Sequence, residues 1–226
     1  PTTFRNLKIN KKYHEGPVCF NADETTMIFT RNNYQDKSLD KVIRLQMFTS
    51  KLVDGEWQKE EAFPHNASSH SVGHASISND GKWLYFASDM PGGIGGVDIY
   101  KCAINDDGTY GAPINLGDKI NTEGNEMFPS IHENGMLFFS SNGLVGLGGL
   151  DLFVAQVKED LSIGKVMNLG YPVNSNKDDF SLILDKEAKS GYFASNRSGG
   201  HGDDDIYSFN LLKPFTFGKV IKGTVS

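Results

Sequence analysis

Tyr85-Phe86-Ala87-Ser88-Asp89 is the stretch on which the reading turns, because it comes back twice. It returns as Phe138-Phe139-Ser140-Ser141-Asn142 and again as Tyr192-Phe193-Ala194-Ser195-Asn196, at spacings of 53 and 54 residues. Ile28-Phe29-Thr30-Arg31-Asn32 is an earlier and weaker copy. A second marker keeps the same step: Asp98-Ile99-Tyr100, Asp151-Leu152-Phe153 and Asp205-Ile206-Tyr207. A third is Asn115-Leu116-Gly117 with Ile120-Asn121, matched by Asn168-Leu169-Gly170 with Val173-Asn174. Three markers in step at one period are the signature of a repeat architecture.

Each unit reads as four short strands. In the second unit these are a strand around Ala75 to Ser78, a turn at Asn79-Asp80-Gly81, a strand from Trp83 to Ser88 and a Gly-rich loop. A strand from Asp98 to Ala103, a turn at Asp106-Asp107-Gly108 and an outer strand from Tyr110 to Leu116 follow. Asp-Gly and Asn-Gly turns (Glu133-Asn134-Gly135 is another) supply the positive φ that tight hairpins require. No segment holds a 3.6-residue apolar period, so no long helix is expected. Four-stranded units of this length are propeller blades, each burying its two faces against its neighbours. The expectation is an all-β propeller with units at about 13–63, 70–116, 124–169 and 178–212. Ile9-Asn10 and Glu15 echo Ile120-Asn121 and Glu126, so residues 1–9 are candidates for the outer strand that closes the last blade. Part of a larger ring fits the repeat equally well. Lys213-Pro214 ends the pattern, and 214–226 read as a linker and the first strand of a following β-domain.

Composition excludes several classes. A net charge of −6 offers no basic footprint for nucleic acid. No apolar run approaches the ~18 residues of a membrane span. Cys19 and Cys102 fall in different strands of neighbouring blades and read as two free, buried thiols.

The string from Ser78 through Asp89, with Gly95-Gly96-Val97-Asp98-Ile99-Tyr100, resembles the WD-like, TolB-type propeller repeats. Ser88-Asp89-Met90-Pro91-Gly92-Gly93 and Asn115 through Glu126 are similar to the propeller of Bacteroidetes outer-membrane-associated proteins of the OmpA family. Those proteins join helical repeats, this propeller, a regulatory-like β-domain and a peptidoglycan-binding domain, the layout of PorE-type components of the type IX secretion system. Ile221 to Val225 resembles the start of the regulatory-like domain. The resemblance implies a periplasmic, outer-membrane-linked scaffold whose partners are envelope or secretion-system proteins. It also implies that peptidoglycan is bound by a separate domain of the parent. The first unit departs from the pattern: its loop from Arg31 to Lys41 lacks Gly-Gly, and Leu45 or Gln46 stands where the Asp belongs.

The recurring Asp98, Asp151 and Asp205 invite a catalytic reading, but one residue repeated around a ring does not converge on a point. A structural role, accepting hydrogen bonds from loop N–H groups, is expected instead. In an up-and-down blade the loop between strands two and three lies on the same face as the linker to the next blade. That face gathers His14, His65, His70, His74 and His201 with Glu123, Glu126, Asp203 and Asp204, while His132 sits in an opposite turn. The histidines are spread over several blades without metal-site spacing, so no metal is expected. Gly199-Gly200-His201-Gly202-Asp203-Asp204-Asp205 lacks the alternation of a calcium loop. No cofactor is expected. The candidate docking residues are His70, His74, Asp89, Met90, Ile94, Leu144, Leu147, Arg197 and His201. A glycan-binding module is the first alternative, weakened because the long loops carry few aromatics beyond Tyr34 and Phe63. A glycosidase-like hydrolase is the second, with Asp89, Glu126 and Asp178 as the acids to test.

Overall fold

A computed structural model describes residues 15–32, 41–215 and 217. The chain is an all-β, four-bladed propeller, with no helix among the described residues. Blade 1 holds β1 (Glu15–Phe20), β2 (Thr26–Asn32) and β3 (Leu45–Val53), edged by the short β4 (Glu56–Trp57) and β5 (Glu61–Ala62). Blade 2 is β6 (Val72–Ile77), β7 (Trp83–Ser88), β8 (Asp98–Ala103) and β9 (Ile114–Asn115). Blade 3 is β10 (Glu126–Ile131), β11 (Met136–Ser141), β12 (Asp151–Val157) and β13 (Ile163–Asn168). Blade 4 is β14 (Asp179–Leu184), β15 (Ser190–Ser195) and β16 (Asp205–Asn210). In blades 2 to 4 consecutive strands pair antiparallel, and in blade 1 β1, β2 and β3 do so while β4 and β5 each pair with β3. The segments 1–9 and 219–225, read above as a closing strand and the start of another domain, lie outside the described residues.

The registers bear out the repeat and settle the departure in blade 1. Ser88 faces Asp98, Ser141 faces Asp151 and Ser195 faces Asp205. In blade 1, Arg31 faces Gln46, so Gln46 and not Leu45 holds the Asp position. The core is divided between blades. Ile28, Met47, Leu84 and Phe86 fill the space between blades 1 and 2. Ile99, Leu137 and Phe139 fill that between blades 2 and 3, and Phe138, Leu152, Leu182 and Phe193 that between blades 3 and 4. Apolar side chains on both sides of the second strands of blades 2 and 3 follow from this, since those two blades are each covered twice, whereas Ile183, Tyr192 and Ile206 of blade 4 are exposed. Phe215 and Phe217 join the last of these clusters, Phe215 lying 5.6 Å from Phe138, so the chain beyond Lys213 stays on the propeller for at least those residues.

The four inner strands surround the axis. Each carries a register shift, and at three of them a non-glycine residue takes the left-handed conformation: His74 (φ 57°), Phe128 (φ 53°) and Ser181 (φ 57°). A bulge of this kind bends the strand and re-aims side chains. Here it turns the His74 ring flat onto Phe128, centroids 3.9 Å apart, and Phe128 in turn meets Phe180 at 5.1 Å.

Candidate functional face: anchored loops on one side of the propeller

The long loops are built around carboxylates. Asp98 accepts hydrogen bonds from the N–H groups of Ile94 and Gly95 and from the Asn115 amide. Asp151 accepts from Leu147 and Gly148, and Asp205 from His201 and Gly202. The glycine five residues before each Asp (Gly93, Gly146, Gly200) lies against that carboxylate, where a Cβ would overlap it. The sequence therefore needs Gly for the approach and Asp for the loop's orphan donors.

Neighbouring loops are stitched to one another. Gly96 donates to the Gly124 carbonyl, Val97 to the Asn125 side chain, and Leu150 to Asp178. In blades 2, 3 and 4 the residue after the second strand reaches back to the chain entering the first strand: Asp89 to Ser71 N, Asn142 to Asn125 N, Asn196 to Asp178 N. Within each linker an asparagine, buried at Asn121 and Asn174 and half-buried at Asn66, mimics a strand. Asn121 pairs with both N and O of Ile99, Asn174 with those of Leu152, and Asn66 with those of Met47. Asn66 escaped the sequence reading because its surroundings, Phe63-Pro64-His65, share nothing with Asn-Leu-Gly.

The docking candidates distribute as follows. Ile94, Leu147 and His201 are exposed at loop tips. Met90 and Leu144 are half-buried, packed on the cores of blades 1–2 and 2–3. His70 is half-buried, hydrogen-bonded to the His65 carbonyl. Asp89 faces Arg44 at 3.8 Å besides capping Ser71. Arg197 is committed internally: it bonds the Pro172 and Val173 carbonyls and Asp179 (2.6 Å), and its guanidinium lies over Phe193 and Tyr207. His74 lies in β6 and not in a linker. Burial pushes it down to about 4, so it is neutral. His14 falls outside the described residues. Val145 (94% exposed) and Tyr171 (85%) belong to this face and were missed, because exposure of an apolar loop residue leaves no mark in the sequence.

The three acids considered for hydrolysis are each occupied. Glu126, fully buried, accepts from Thr122 N, Thr122 Oγ1 and Ser141 Oγ. Asp178 accepts from Leu150 N and Asn196 Nδ2. None of Asp89, Glu126 and Asp178 lines the axial cavity, a space of about 110 Å³ walled by His74, Ser76, Phe128, Ser130, Ser181 and their neighbours. Among the described residues no group of three His, Cys, Asp or Glu side chains is arranged to hold a metal ion. Cys19 and Cys102 are free, and burial pushes both thiols up to about 12.

No protein-family model matches the chain, and no curated protein matches it. Solved structures do. TolB from Acinetobacter baumannii superimposes with a TM-score of 0.61 at 12% identity, over 92% of this chain and 44% of that one. A putative TolB from Agrobacterium tumefaciens gives 0.51 at 14% identity, over 91% and 80%. An α-L-arabinofuranosidase from Lactobacillus brevis gives 0.52 at 14%, over 88% and 74%. The chain thus spans less than half the length of the first of these, and at such identities the likeness is one of fold: that of the TolB-like propellers.

Proposed function

We propose that this propeller is a non-catalytic protein-interaction scaffold at the periplasmic side of the outer membrane, part of a secretion or envelope-anchoring complex. The observation that carries the reading is the exposure of Ile94, Val145, Leu147 and Tyr171 on loops and linkers locked by buried carboxylates and asparagines. Apolar side chains held out on rigid loops favour association, because little conformational entropy remains to be lost on binding. The prior engagement of Asp89, Glu126 and Asp178 in loop hydrogen bonds supports a role without catalysis. The repeat motifs, similar to those of OmpA-family envelope proteins, support the location.

The test is affinity capture from envelope extract with the tagged chain beside a variant carrying Ile94→Ser, Val145→Ser, Leu147→Ser and Tyr171→Ser. Capture of outer-membrane or secretion-system proteins by the parent, reduced at least ~10-fold in the variant, is the expected result. Equal capture by both chains removes this face as the docking surface.

A further inference from the structure

Three of the four blades are covered in one way. Ile28 and Met47 in blade 1, Tyr85 and Ile99 in blade 2, and Phe138 and Leu152 in blade 3 hold equivalent places in the second and third strands, and all are buried. Their cover comes from the blade that follows: Leu84 and Phe86, then Leu137 and Phe139, then Phe193 beside Leu182 of β14. In blade 4 the same two places are filled by Tyr192 and Ile206, which are 55% and 79% exposed. Ile183 is paired with Tyr192 across the strands and is exposed with it. The front of blade 4 is therefore a bare apolar sheet face, of the kind that marks an interaction site.

Blade 1 does not close over it. Its covering pair is Met27 and Phe29, which cluster with Phe48 and Trp57 of their own blade and, among the described residues, with nothing of blade 4. No described strand of blade 4 lies against a strand of blade 1. Val18, opposite Phe29, holds the place in β1 that Leu182 holds in β14; Leu182 is fully buried on blade 3, whereas Val18 is 48% exposed. Val18 and Ile183 both border the axial cavity, so the two uncovered faces stand on either side of one narrow gap. The linkers agree. Asn66, Asn121 and Asn174 each serve the third strand of the blade they leave, and no described residue serves Ile206. The motif Val173-Asn174 with Asp179 also stands in the sequence ahead of blade 1, as Ile9-Asn10 with Glu15, where by the same rule it serves the third strand of a preceding blade.

We infer that the gap between blade 4 and blade 1 takes a fifth blade of the same repeat, whose second strand lays apolar side chains on Tyr192 and Ile206 as Phe193 is laid on Phe138 and Leu152. A second copy of the chain has no such cover to spare. Its Leu84, Phe86, Leu137, Phe139 and Phe193 are already packed between blades, and Met27 and Phe29 lie under Phe48 and Trp57. This face is distinct from the loop tips proposed above for docking.

The test extends the chain by a copy of one of its own blades. Residues 124–168 replace residues 1–4, which places Ile9-Asn10 after the copied blade as Val173-Asn174 follow the original. A second extension puts blade 2, residues 71–115, at the same junction, so that a misfit peculiar to one copy does not decide the result. In the parent chain tetranitromethane, read residue by residue by mass spectrometry, should nitrate Tyr192 much faster than the buried Tyr85. In an extended chain Tyr192 should fall to the rate of Tyr85. Ile206→Arg should leave the melting temperature of the parent unchanged and lower that of the extended chain by roughly 5–10 °C. The loop-face quadruple variant should respond to extension as the parent does, so the two readings fail separately. The inference is overturned if Tyr192 of the parent is as slow as Tyr85, or if it becomes so only as rising concentration makes the chain dimerise. It is overturned equally if both extensions leave Tyr192 as reactive, and Ile206→Arg as harmless, as in the parent.

Discussion

Blades 3 and 4 run on nearly the same motif, yet their third strands lie in different surroundings. In β12 every residue from Asp151 to Ala155 is buried between β11 and β13, whereas β16 alternates between half-buried and exposed along its whole length. Leu152 is fully buried and its counterpart Ile206 is 79% exposed. Asn174 covers both polar atoms of Leu152, and no described residue does this for Ile206. The loops differ likewise. Gly149 nests against Asp178 of the next linker, while its counterpart is Asp203, exposed, with no described linker to nest on. The comparison teaches that a strand's burial here comes less from its own sequence than from the outer strand and the linker laid over it.

The sharpest way to break that comparison is to truncate the paired residues. Leu152→Ala should cost about 3 kcal/mol, the ordinary cost of emptying a closed core site, and Ile206→Ala less than about 0.5 kcal/mol. Denaturant midpoints measure both. Equal losses would mean that Ile206 is covered in solution as Leu152 is. A smaller effect isolates the linker: Asn174→Ala deprives Leu152 N and O of their partners inside the sheet edge and should cost about 2 kcal/mol. Amide exchange at Leu152 should accelerate while that at Ile206 does not change. A variant that exchanges no faster would show that water replaces the asparagine without loss.

Much of this was legible because the markers are local. The Ser–Asp pairing across strands two and three, the turn residues and the Asn-Leu-Gly linkers recur as strings, so the four repeat units and the all-β class could be read directly, while the choice between a four-bladed ring and part of a larger one could not. What escaped depends on packing. His74 was assigned to a linker because a bulged strand with a left-handed residue breaks the alternation that announces a strand. Arg197 looked free because its acceptors, Pro172 and Val173, lie on the linker before its own blade. A clue was available at the end of the chain: Phe217-Gly218-Lys219-Val220 follows Ile163-Gly164-Lys165-Val166 by 54 residues. Phe217 packs on the blade 3–4 core as Ile163 does on the blade 2–3 core.

The smallest expected effect contrasts the inner strands, where blade 2 places His74 at the position that blade 3 fills with Phe128. Burial lowers the folded His74 from 6.5 to about 4, so the unfolded chain binds a proton that the folded one refuses between those values. Stability contributed by the neutral ring is complete above pH 6.5 and is lost as pH falls toward 4. Because the ring keeps partial solvent contact, the loss should be about 1 kcal/mol at pH 5. His74→Phe preserves the stack on Phe128 and removes the titration. Melting curves of parent and variant should therefore run parallel above pH 7 and diverge by a few degrees below 6, the variant being the flatter. The turn-face carboxylates Asp80, Asp107, Asp160 and Asp185 do not confuse the result. Hydrogen bonds from Ser or Thr hold each below 3.8, so their contributions fade only under that value, outside the histidine window. Parallel curves down to pH 4 would mean that His74 is protonated as readily folded as unfolded, and that the axial cavity admits water freely to its ring.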